Sequence, residues 1–171
     1  KDVYGIFKAY CTRVGSGPFP TELDDADGVK IREIGKEFGS TTGRPRRCGW
    51  LDLPILKYSA MLNGVTQLLM MKGDVLNDFD EIKVCTHYKL ESGFTTDRVP
   101  YDIVTQKIEP IYKTFKGWKC DLGQFNNIDE LPEELKHYLK FIEMEMRIPV
   151  TVVSIGPDRT QTLMKESILV D

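Results

Sequence analysis

The strongest structural constraint in the sequence is a helical repeat that is followed closely by an apolar, strand-like run. Apolar side chains recur at steps of three and four through residues 132–146, which predicts one amphipathic helix. Residues 150–155 then read Val-Thr-Val-Val-Ser-Ile, and Gln67–Met71 is a similar run. Runs that are apolar on both faces are typical of strands in a parallel sheet covered by helices. This alternation predicts an α/β fold.

The remaining segments extend the same pattern. Residues 3–10 and 81–88 are rich in β-branched and aromatic side chains and are predicted as strands. Residues 52–63 are predicted as a second helix that Asp52 caps. Residues 27–38 are predicted as a third helix, although two glycines lower its helix propensity. We therefore expect a partial, mainly parallel sheet with flanking helices, within one domain.

Composition narrows the class of protein. The chain has 171 residues and a formal net charge of −3, from 23 basic and 26 acidic side chains. The overall composition excludes a disordered protein, and the slightly acidic total disfavours a nucleic-acid-binding protein. No apolar run in the sequence is long enough to cross a membrane. The four cysteines are scattered, which suits a reducing, cytoplasmic compartment. Because the first residue is Lys1, we expect the chain to be a piece of a longer protein.

Polar segments that contain glycine follow three of the predicted strands. They are residues 13–22, the tripeptide Lys72-Gly73-Asp74 and residues 154–159. Ligands of open α/β sheets bind beyond the carboxyl ends of the strands. We therefore expect these segments to form a composite ligand site on one edge of the sheet.

The tripeptide at residues 72–74 has a specific chemical interpretation. A carboxylate at Asp74 can accept hydrogen bonds from the ring N–H and the exocyclic amine of guanine, whereas adenine presents a ring acceptor instead. The aliphatic stem of Lys72 can lie along the base, and backbone groups of Ser154 and Gly156 can close the same pocket. Taken alone, both segments are also typical of ordinary turns that end strands, so the residues leave both interpretations open.

A basic segment at residues 39–50 lies between the first and second of these three polar segments. It carries three arginines, Arg44, Arg46 and Arg47, after two threonines and a glycine. Guanidinium groups bind carboxylates and phosphates in a bidentate manner, which predicts recognition of an oxyanion. A solvated basic loop is the more usual outcome for such a run. A nucleic-acid patch is the least favoured alternative, because the rest of the chain supplies no basic face.

The sequence offers no recognisable catalytic centre. It contains no G-x-x-x-x-G-K-[ST] phosphate loop and no Cys/His or Ser/His/Asp arrangement with suitable spacing. His87 is predicted within a strand and His137 on the exposed side of a helix, and neither is assigned a catalytic role. We predict that this chain contributes neither catalytic residues nor metal ligands.

Four motifs, taken together and in order, closely resemble the adenylosuccinate synthetase family. They are VGSGPFPTEL (14–23), TTGRPRRCGWLD (41–52), DVL with FDEIKVC (74–76 and 79–85), and SIGPDR (154–159). The resemblance runs almost end to end but covers only the C-terminal part of enzymes more than twice as long. It implies that residues 1–171 are the C-terminal portion of a single P-loop-NTPase-like synthetase domain. It further implies that the N-terminal portion of that domain, with the catalytic residues and the Mg²⁺ ligands, is absent from this chain.

The resemblance implies a reaction in AMP biosynthesis. A GTP-dependent ligase joins IMP and L-aspartate into adenylosuccinate: GTP phosphorylates the 6-oxygen of IMP, and the aspartate amine then displaces that phosphate. GTP is the co-substrate, Mg²⁺ is required, and the full-length enzyme is expected to be a cytoplasmic homodimer without nucleic-acid or membrane partners. The isolated chain is expected to be inactive. The alternative is a non-catalytic guanine-nucleotide-binding module.

The resemblance also implies roles for individual residues. Val14 matches a contact to the IMP ribose, Arg44 matches a contact to both aspartate and IMP, and Arg46 reaches toward GTP. The loop that closes over aspartate and IMP comprises Ser40, Thr41, Thr42, Gly43, Arg44, Pro45 and Arg46. The GTP contacts comprise Arg46, Lys72, Gly73, Asp74, Ser154, Ile155 and Gly156. The family usually has leucine in place of Gly73, and the glycine is expected to loosen that turn.

Overall fold

The computed structural model describes residues 1–165, which form two compact units. Unit 1 comprises Lys1–Ala9, Ala60–Ile82 and the residues from Phe115 onward, and unit 2 comprises Tyr10–Ser59 and Lys83–Thr114. The strands are β1 (Tyr4–Lys8), β2 (Tyr10–Arg13), β3 (Arg47–Asp52), β4 (Gln67–Met71), β5 (Glu81–Leu90), β6 (Thr95–Thr96), β7 (Ile108–Lys116), β8 (Val150–Ser154) and β9 (Thr162–Met164). The helices are α1 (Ala26–Ile34), α2 (Leu53–Asn63) and α3 (Glu133–Met146). The predicted α/β class is confirmed.

Unit 1 is organised around a four-stranded sheet in the order β1-β4-β8-β9. The strands β1, β4 and β8 are parallel, and β9 is antiparallel to β8. Every residue of β8 is buried, as its apolar sequence predicts for a strand covered on both faces. The apolar stripe of α3 packs against β8 and consists of Leu135, Tyr138, Leu139, Phe141, Ile142 and Met146.

The helix α3 fixes the end of β1 as well as covering β8. It begins one residue after the predicted start, because Pro132 serves as the N-cap. Its C-terminus lies at Met146 as predicted, and Arg147 follows in a left-handed conformation with φ of 54°. From the middle of the helix, the Tyr138 hydroxyl donates to the Ala9 carbonyl over 2.9 Å. This hydrogen bond ties the helix to the end of the first strand.

Unit 2 contains a mixed sheet in the order β2-β3-β5-β6, with β7 paired to β5. The pair β3/β5 is parallel, whereas β2/β3 and β5/β6 are antiparallel. The mainly parallel sheet that the sequence predicts is therefore found in unit 1. Large, fully buried side chains form the core of unit 2, among them Tyr10, Ile31, Trp50, Leu53 and Tyr88.

The predicted cap of α2 is confirmed, and it carries a buried charge. Asp52 Oδ1 accepts a hydrogen bond from the Ile55 amide over 3.2 Å and another from the Tyr88 hydroxyl over 2.6 Å. Oδ2 is buried and has no hydrogen-bond partner among residues 1–165. Burial raises the pKa of Asp52 to about 6, although the two hydrogen bonds oppose the shift.

Two sequence predictions about local structure are wrong. Residues 3–10 form two strands in different sheets, because the extended strand is interrupted at the fully buried Ala9. The Ala9 amide donates to the Met71 carbonyl over 3.0 Å, while its own carbonyl is bound by Tyr138. The loop at residues 13–22 consequently follows β2 rather than β1, and it leaves a different sheet from the other two loops.

The helix predicted over residues 27–38 begins earlier and ends earlier. Asp25 caps it by accepting from the Gly28 amide over 3.1 Å, and α1 ends at Ile34. Beyond it, Lys36 has a φ of 50° and Phe38 forms an isolated β-bridge with Pro45.

Within residues 1–165, no helix combines the length and the apolar character that crossing a bilayer requires.

Candidate functional site

The carboxyl ends of β4 and β8 bring two of the predicted binding segments together in unit 1. The two strands are parallel neighbours, with Met70 opposite Val153. The segments that follow them therefore leave the same edge of the sheet. A Cβ placed on Gly73 would lie 3.4 Å from the Ser154 carbonyl oxygen. We refer to the six residues for which the resemblance implies guanine contacts as the base pocket: Lys72, Gly73, Asp74, Ser154, Ile155 and Gly156.

The turn after β4 is closely packed around Gly73. Lys72 holds the left-handed conformation, with φ of 61°, and a 3₁₀ turn over Gly73–Leu76 follows at once. Gly73 is buried against Met70, Ser154 and Leu122. The glycine therefore allows close packing beneath the pocket, whereas the unusual backbone conformation falls on a lysine.

Asp74 lies in the first position after this glycine and is half-buried. Burial raises its pKa above the ordinary value, while the backbone amides of Asp74 and Val75 and the charge of Lys72 lower it. A partly desolvated carboxylate of this kind is an effective acceptor for paired N–H donors of a ligand. Such donors would also favour the charged form of the group.

The segment after β8 is held by a side chain that sequence reasoning missed. The Ser154 hydroxyl donates to the Gly156 carbonyl over 3.0 Å, and the Ile155 amide donates to the Gln161 carbonyl over 2.9 Å. The Gln161 carboxamide covers Gly156 and accepts from the Asp158 amide over 3.1 Å. The capping box that Asp158 and Gln161 form is the sequence signal that could have identified this residue.

The arginine segment, residues 39–47, lies in unit 2 and forms a closed, exposed turn. The Gly39 amide donates to the Arg44 carbonyl, and the Gly43 amide donates to the Gly39 carbonyl, each over 2.8 Å. The side chains of the turn are exposed at Ser40, Thr41, Thr42, Arg44 and Pro45. The tip therefore presents two hydroxyls and a guanidinium group to solvent.

Arg46, at the base of the segment, is bound to a buried carboxylate. Its Nη1 lies 2.6 Å from Oε2 of Glu37, whose side chain is fully buried. The Tyr10 hydroxyl donates to Oε1 of the same carboxylate over 2.6 Å, and Arg32 donates to the Arg46 carbonyl over 2.8 Å. Glu37 lies in the short stretch after α1, where no sequence pattern marks it as a partner of Arg46.

Arg47 is occupied by contacts within the chain. Its guanidinium group forms a bidentate pair with Glu22 and donates to the carbonyls of Gly15 and Gly17 over 3.1 and 2.9 Å. The hydrogen bond from Arg47 lowers the pKa of Glu22, and burial opposes it. Arg47 therefore fixes the loop that carries Val14.

Val14 lies on that loop, and its side chain is 77% exposed. The implied IMP and aspartate contacts, Val14 and residues 40–46, therefore all lie in unit 2. The implied GTP contacts lie in unit 1, except for Arg46. Among residues 1–165, no three His, Cys, Asp or Glu side chains form a group suited to a metal ion. The two units thus carry separate candidate sets of binding residues.

Comparison with known proteins adds a family to this geometry. A family model described as adenylosuccinate synthetase matches residues 1–163. Adenylosuccinate synthetase of Cytophaga hutchinsonii is 63% identical over 96% of this chain and 38% of its own length. The Flavobacterium psychrophilum enzyme is 59% identical over 96% of this chain and 39% of its own.

A solved structure agrees with these relatives. Fully ligated adenylosuccinate synthetase from Plasmodium falciparum superposes with a TM-score of 0.92 at 40% identity, covering 97% of this chain and 40% of that one. The chain thus spans about two fifths of the length of the proteins it matches. By sequence and by fold, the chain belongs to the adenylosuccinate synthetase family.

Proposed function

We propose that this chain is the C-terminal portion of a GTP-dependent ligase that joins IMP and L-aspartate into adenylosuccinate. In this proposal unit 1 supplies the guanine pocket, and unit 2 supplies the loop that binds aspartate and IMP. Mg²⁺, the phosphate-binding loop and the catalytic residues belong to the part of the ligase that this chain does not span. The complete ligase would act as a homodimer in the cytoplasm.

One observation carries the guanine assignment: the tips of β4 and β8 lie side by side. Gly73 packs against the backbone of Ser154, and the half-buried Asp74 follows it directly, so one carboxylate and several main-chain groups can meet the edge of one base. The carboxylate would accept from the guanine ring N–H and exocyclic amine. Adenine offers an acceptor in place of that ring N–H, so it would leave the half-buried charge with a lone pair against a lone pair.

The arginine segment supports the second half of the proposal. Its tip is exposed and holds Arg44 with two threonine hydroxyls, which together can bind a carboxylate. Its base is fixed by Glu37 and Glu22, so the tip can close over a substrate while its attachment stays in place. Closure would exclude water from the 6-phosphoryl intermediate, which water would otherwise hydrolyse.

The guanine assignment is tested by base preference in the purified chain. We expect nuclear magnetic resonance titration to show weak GDP binding at residues of the base pocket and still weaker ADP binding. Asp74→Asn should weaken GDP binding by about tenfold or more, since a charged acceptor of two donors is lost. It should also improve binding of xanthosine diphosphate, whose 2-oxo group can accept from the new amide. Asp78→Asn, an exposed neighbour, is the matched control.

Equal binding of GDP and ADP by the wild-type chain would contradict the assignment. A second experiment tests the ligase itself by replacing the matching segment of the Cytophaga hutchinsonii enzyme with this chain. We expect the chimera to form adenylosuccinate from GTP, IMP and aspartate, and the isolated chain to show no turnover. An inactive but folded chimera, or turnover by the isolated chain, would contradict the proposed division of the enzyme.

A further inference from the structure

The side chain of Gln161 occupies a central place behind the base pocket. It lies in unit 1, at the end of a short 3₁₀ turn over Arg159–Gln161 that leads into β9. Its Oε1 accepts from the Asp158 amide over 3.1 Å, and its backbone carbonyl accepts from the Ile155 amide over 2.9 Å. One residue therefore holds the pocket segment through its main chain and its side chain together.

The contact with Gly156 shows how closely the carboxamide fits. A Cβ built on Gly156 would overlap Oε1 and Cδ of Gln161 and lie 2.7 Å from its Nε2. Gly156 has no left-handed φ that would require a glycine. Glycine is needed at this position because the Gln161 carboxamide occupies the space of a side chain.

These contacts converge on a backbone segment that is otherwise held by Ser154 and by the buried side chain of Ile155. Ser154 bonds within the segment, to the Gly156 carbonyl, and Ser154 is also paired with Thr162 of β9. Beyond Ser154 the strand has ended, so the direction of the Ile155 and Gly156 peptide groups depends on Gln161. Those peptide groups face the guanine base in the proposed function.

We propose that Gln161 is a positioning residue that fixes the backbone of residues 154–156 in the conformation that distinguishes guanine from adenine. The proposal rests on the assignment of the base pocket to guanine. Gln161 acts through Oε1 and through the surface of its carboxamide, not through contact with the nucleotide. A glutamate has the same length and the same acceptor, and it also completes a capping box.

The test compares GDP and ADP affinities of the wild-type chain with those of four variants. Gln161→Ala and Gln161→Met should each weaken GDP binding by about tenfold, because the hydrogen bond to the Asp158 amide and the packing on Gly156 are lost, with little effect on ADP. Gln161→Glu should stay within about threefold of the wild type, because the acceptor is kept. Gly156→Ala should weaken GDP binding by displacing the carboxamide.

A double variant separates positioning from direct contact. If Gln161 acts by packing on Gly156, then Gly156→Ala combined with Gln161→Ala should bind GDP no more weakly than Gln161→Ala alone, because the overlap is gone. Additive losses would overturn the packing argument. Fluorescence of Trp118, a buried residue of unit 1, verifies that each variant is folded.

The outcomes distinguish the proposed role of Gln161 from the assignment of the base pocket to guanine. Wild-type chain that binds GDP and ADP equally, or neither, overturns the guanine assignment and the role of Gln161 together. Wild-type chain that prefers GDP, with Gln161→Ala and Gln161→Met unchanged in that preference, overturns the role of Gln161 alone. Loss of GDP binding in folded Gln161→Glu also overturns it, since it would point to contact through Nε2.

Discussion

The base pocket of unit 1 and the arginine segment of unit 2 are stabilised in different ways. The pocket takes its shape from the backbone: two adjacent parallel strand ends, a buried Gly73 and main-chain hydrogen bonds to Gln161. The arginine segment takes its shape from ion pairs with Glu37 and Glu22, which are distant in sequence. Substitutions that remove charge should therefore affect unit 2, and substitutions that add volume should affect unit 1 where a side chain already fills the space, as at Gly156.

The arginine segment itself divides into a fixed base and an exposed tip. Arg46 and Arg47 are bound by carboxylates, whereas the side chain of Arg44 extends into solvent on a turn closed by main-chain hydrogen bonds. An ion pair is most costly to break where the remaining partner stays buried. The contribution of each residue to stability should thus follow the burial of its partner.

The largest effect is expected from Glu37→Gln. The substitution keeps an acceptor for the Tyr10 hydroxyl but removes the charge that Arg46 faces, and Glu37 is fully buried. The substitution leaves Arg46, whose side chain is only 32% exposed, without its countercharge, so we expect the free energy of unfolding of unit 2 to fall by about 2–3 kcal/mol. Urea unfolding can report each unit separately, because the two tryptophans, Trp50 and Trp118, lie in different units.

Single-tryptophan backgrounds make this measurement specific. Trp50 alone reports unit 2 and Trp118 alone reports unit 1, and both are buried. The control is Glu33→Gln, the same substitution at an exposed position of α1, which should change stability by less than about 0.5 kcal/mol. A Glu37→Gln effect as small as that of the control would show that the buried pair does not stabilise unit 2.

Sequence reasoning was most successful where a local pattern determines the structure. The apolar stripe of α3 and the apolar runs of β4 and β8 predict that the helix packs on the sheet. An amphipathic helix buries its one apolar face, and strands that are apolar on both faces need helices to cover them. The adjacency of the two pocket segments then follows from parallel pairing. The elements and the relative placement of the pocket residues could thus be predicted without coordinates.

Sequence reasoning failed where a structural role depends on a partner distant in the chain. Glu37 and Glu22 each look like surface acids, and only the folded chain shows that they hold Arg46 and Arg47. The strand break at Ala9 is a similar case, because it depends on hydrogen bonds to Met71 and to the remote Tyr138. No spacing rule within residues 1–165 encodes those long-range contacts.

A second effect concerns the buried carboxylate of Asp52 and should appear as a pH dependence. Its pKa is about 6 in the folded chain and 3.8 ordinarily, so the folded state binds the proton more tightly. The protonation of Asp52 therefore contributes fully to the free energy of unfolding below pH 3.8. This contribution is lost as the pH rises through 6. Between pH 4.5 and 7 the loss should be about 2 kcal/mol in unit 2.

The variant Asp52→Asn isolates this contribution from other titrating groups. Asparagine still accepts from the Ile55 amide and the Tyr88 hydroxyl, but it does not titrate. Relative to the wild type, it should therefore gain stability as the pH rises from 4.5 to 7, as measured by urea unfolding read at Trp50. The control is Asp24→Asn, at an exposed position, which should have the same stability as the wild type at both pH values. If the stability of Asp52→Asn changed with pH as that of the wild type does, Asp52 would not be the source of the pH dependence.

A smaller effect separates the base of the arginine segment from its tip. Arg47→Lys keeps the charge but cannot span Glu22 and the carbonyls of Gly15 and Gly17 at once. We expect unit 2 to lose about 1–2 kcal/mol. Arg44→Lys, the same change on the exposed tip, should stay within about 0.5 kcal/mol of the wild type. Equal losses for the two variants would mean that the tip is as firmly fixed as the base.

The smallest effect is expected where unit 1 gains a single methyl group, in Gly73→Ala. Its φ lies outside the left-handed region, and the new Cβ would lie 3.4 Å from Met70 Cε and 3.7 Å from Leu122 Cδ1. Those contacts are tight but tolerable, and alanine reduces the entropy of the unfolded chain. Unit 1 stability, read at Trp118, should therefore change by less than about 0.5 kcal/mol. A loss above about 2 kcal/mol would show that the pocket floor depends on an empty position at Gly73, and that backbone packing in unit 1 is as intolerant of change as the buried charges of unit 2.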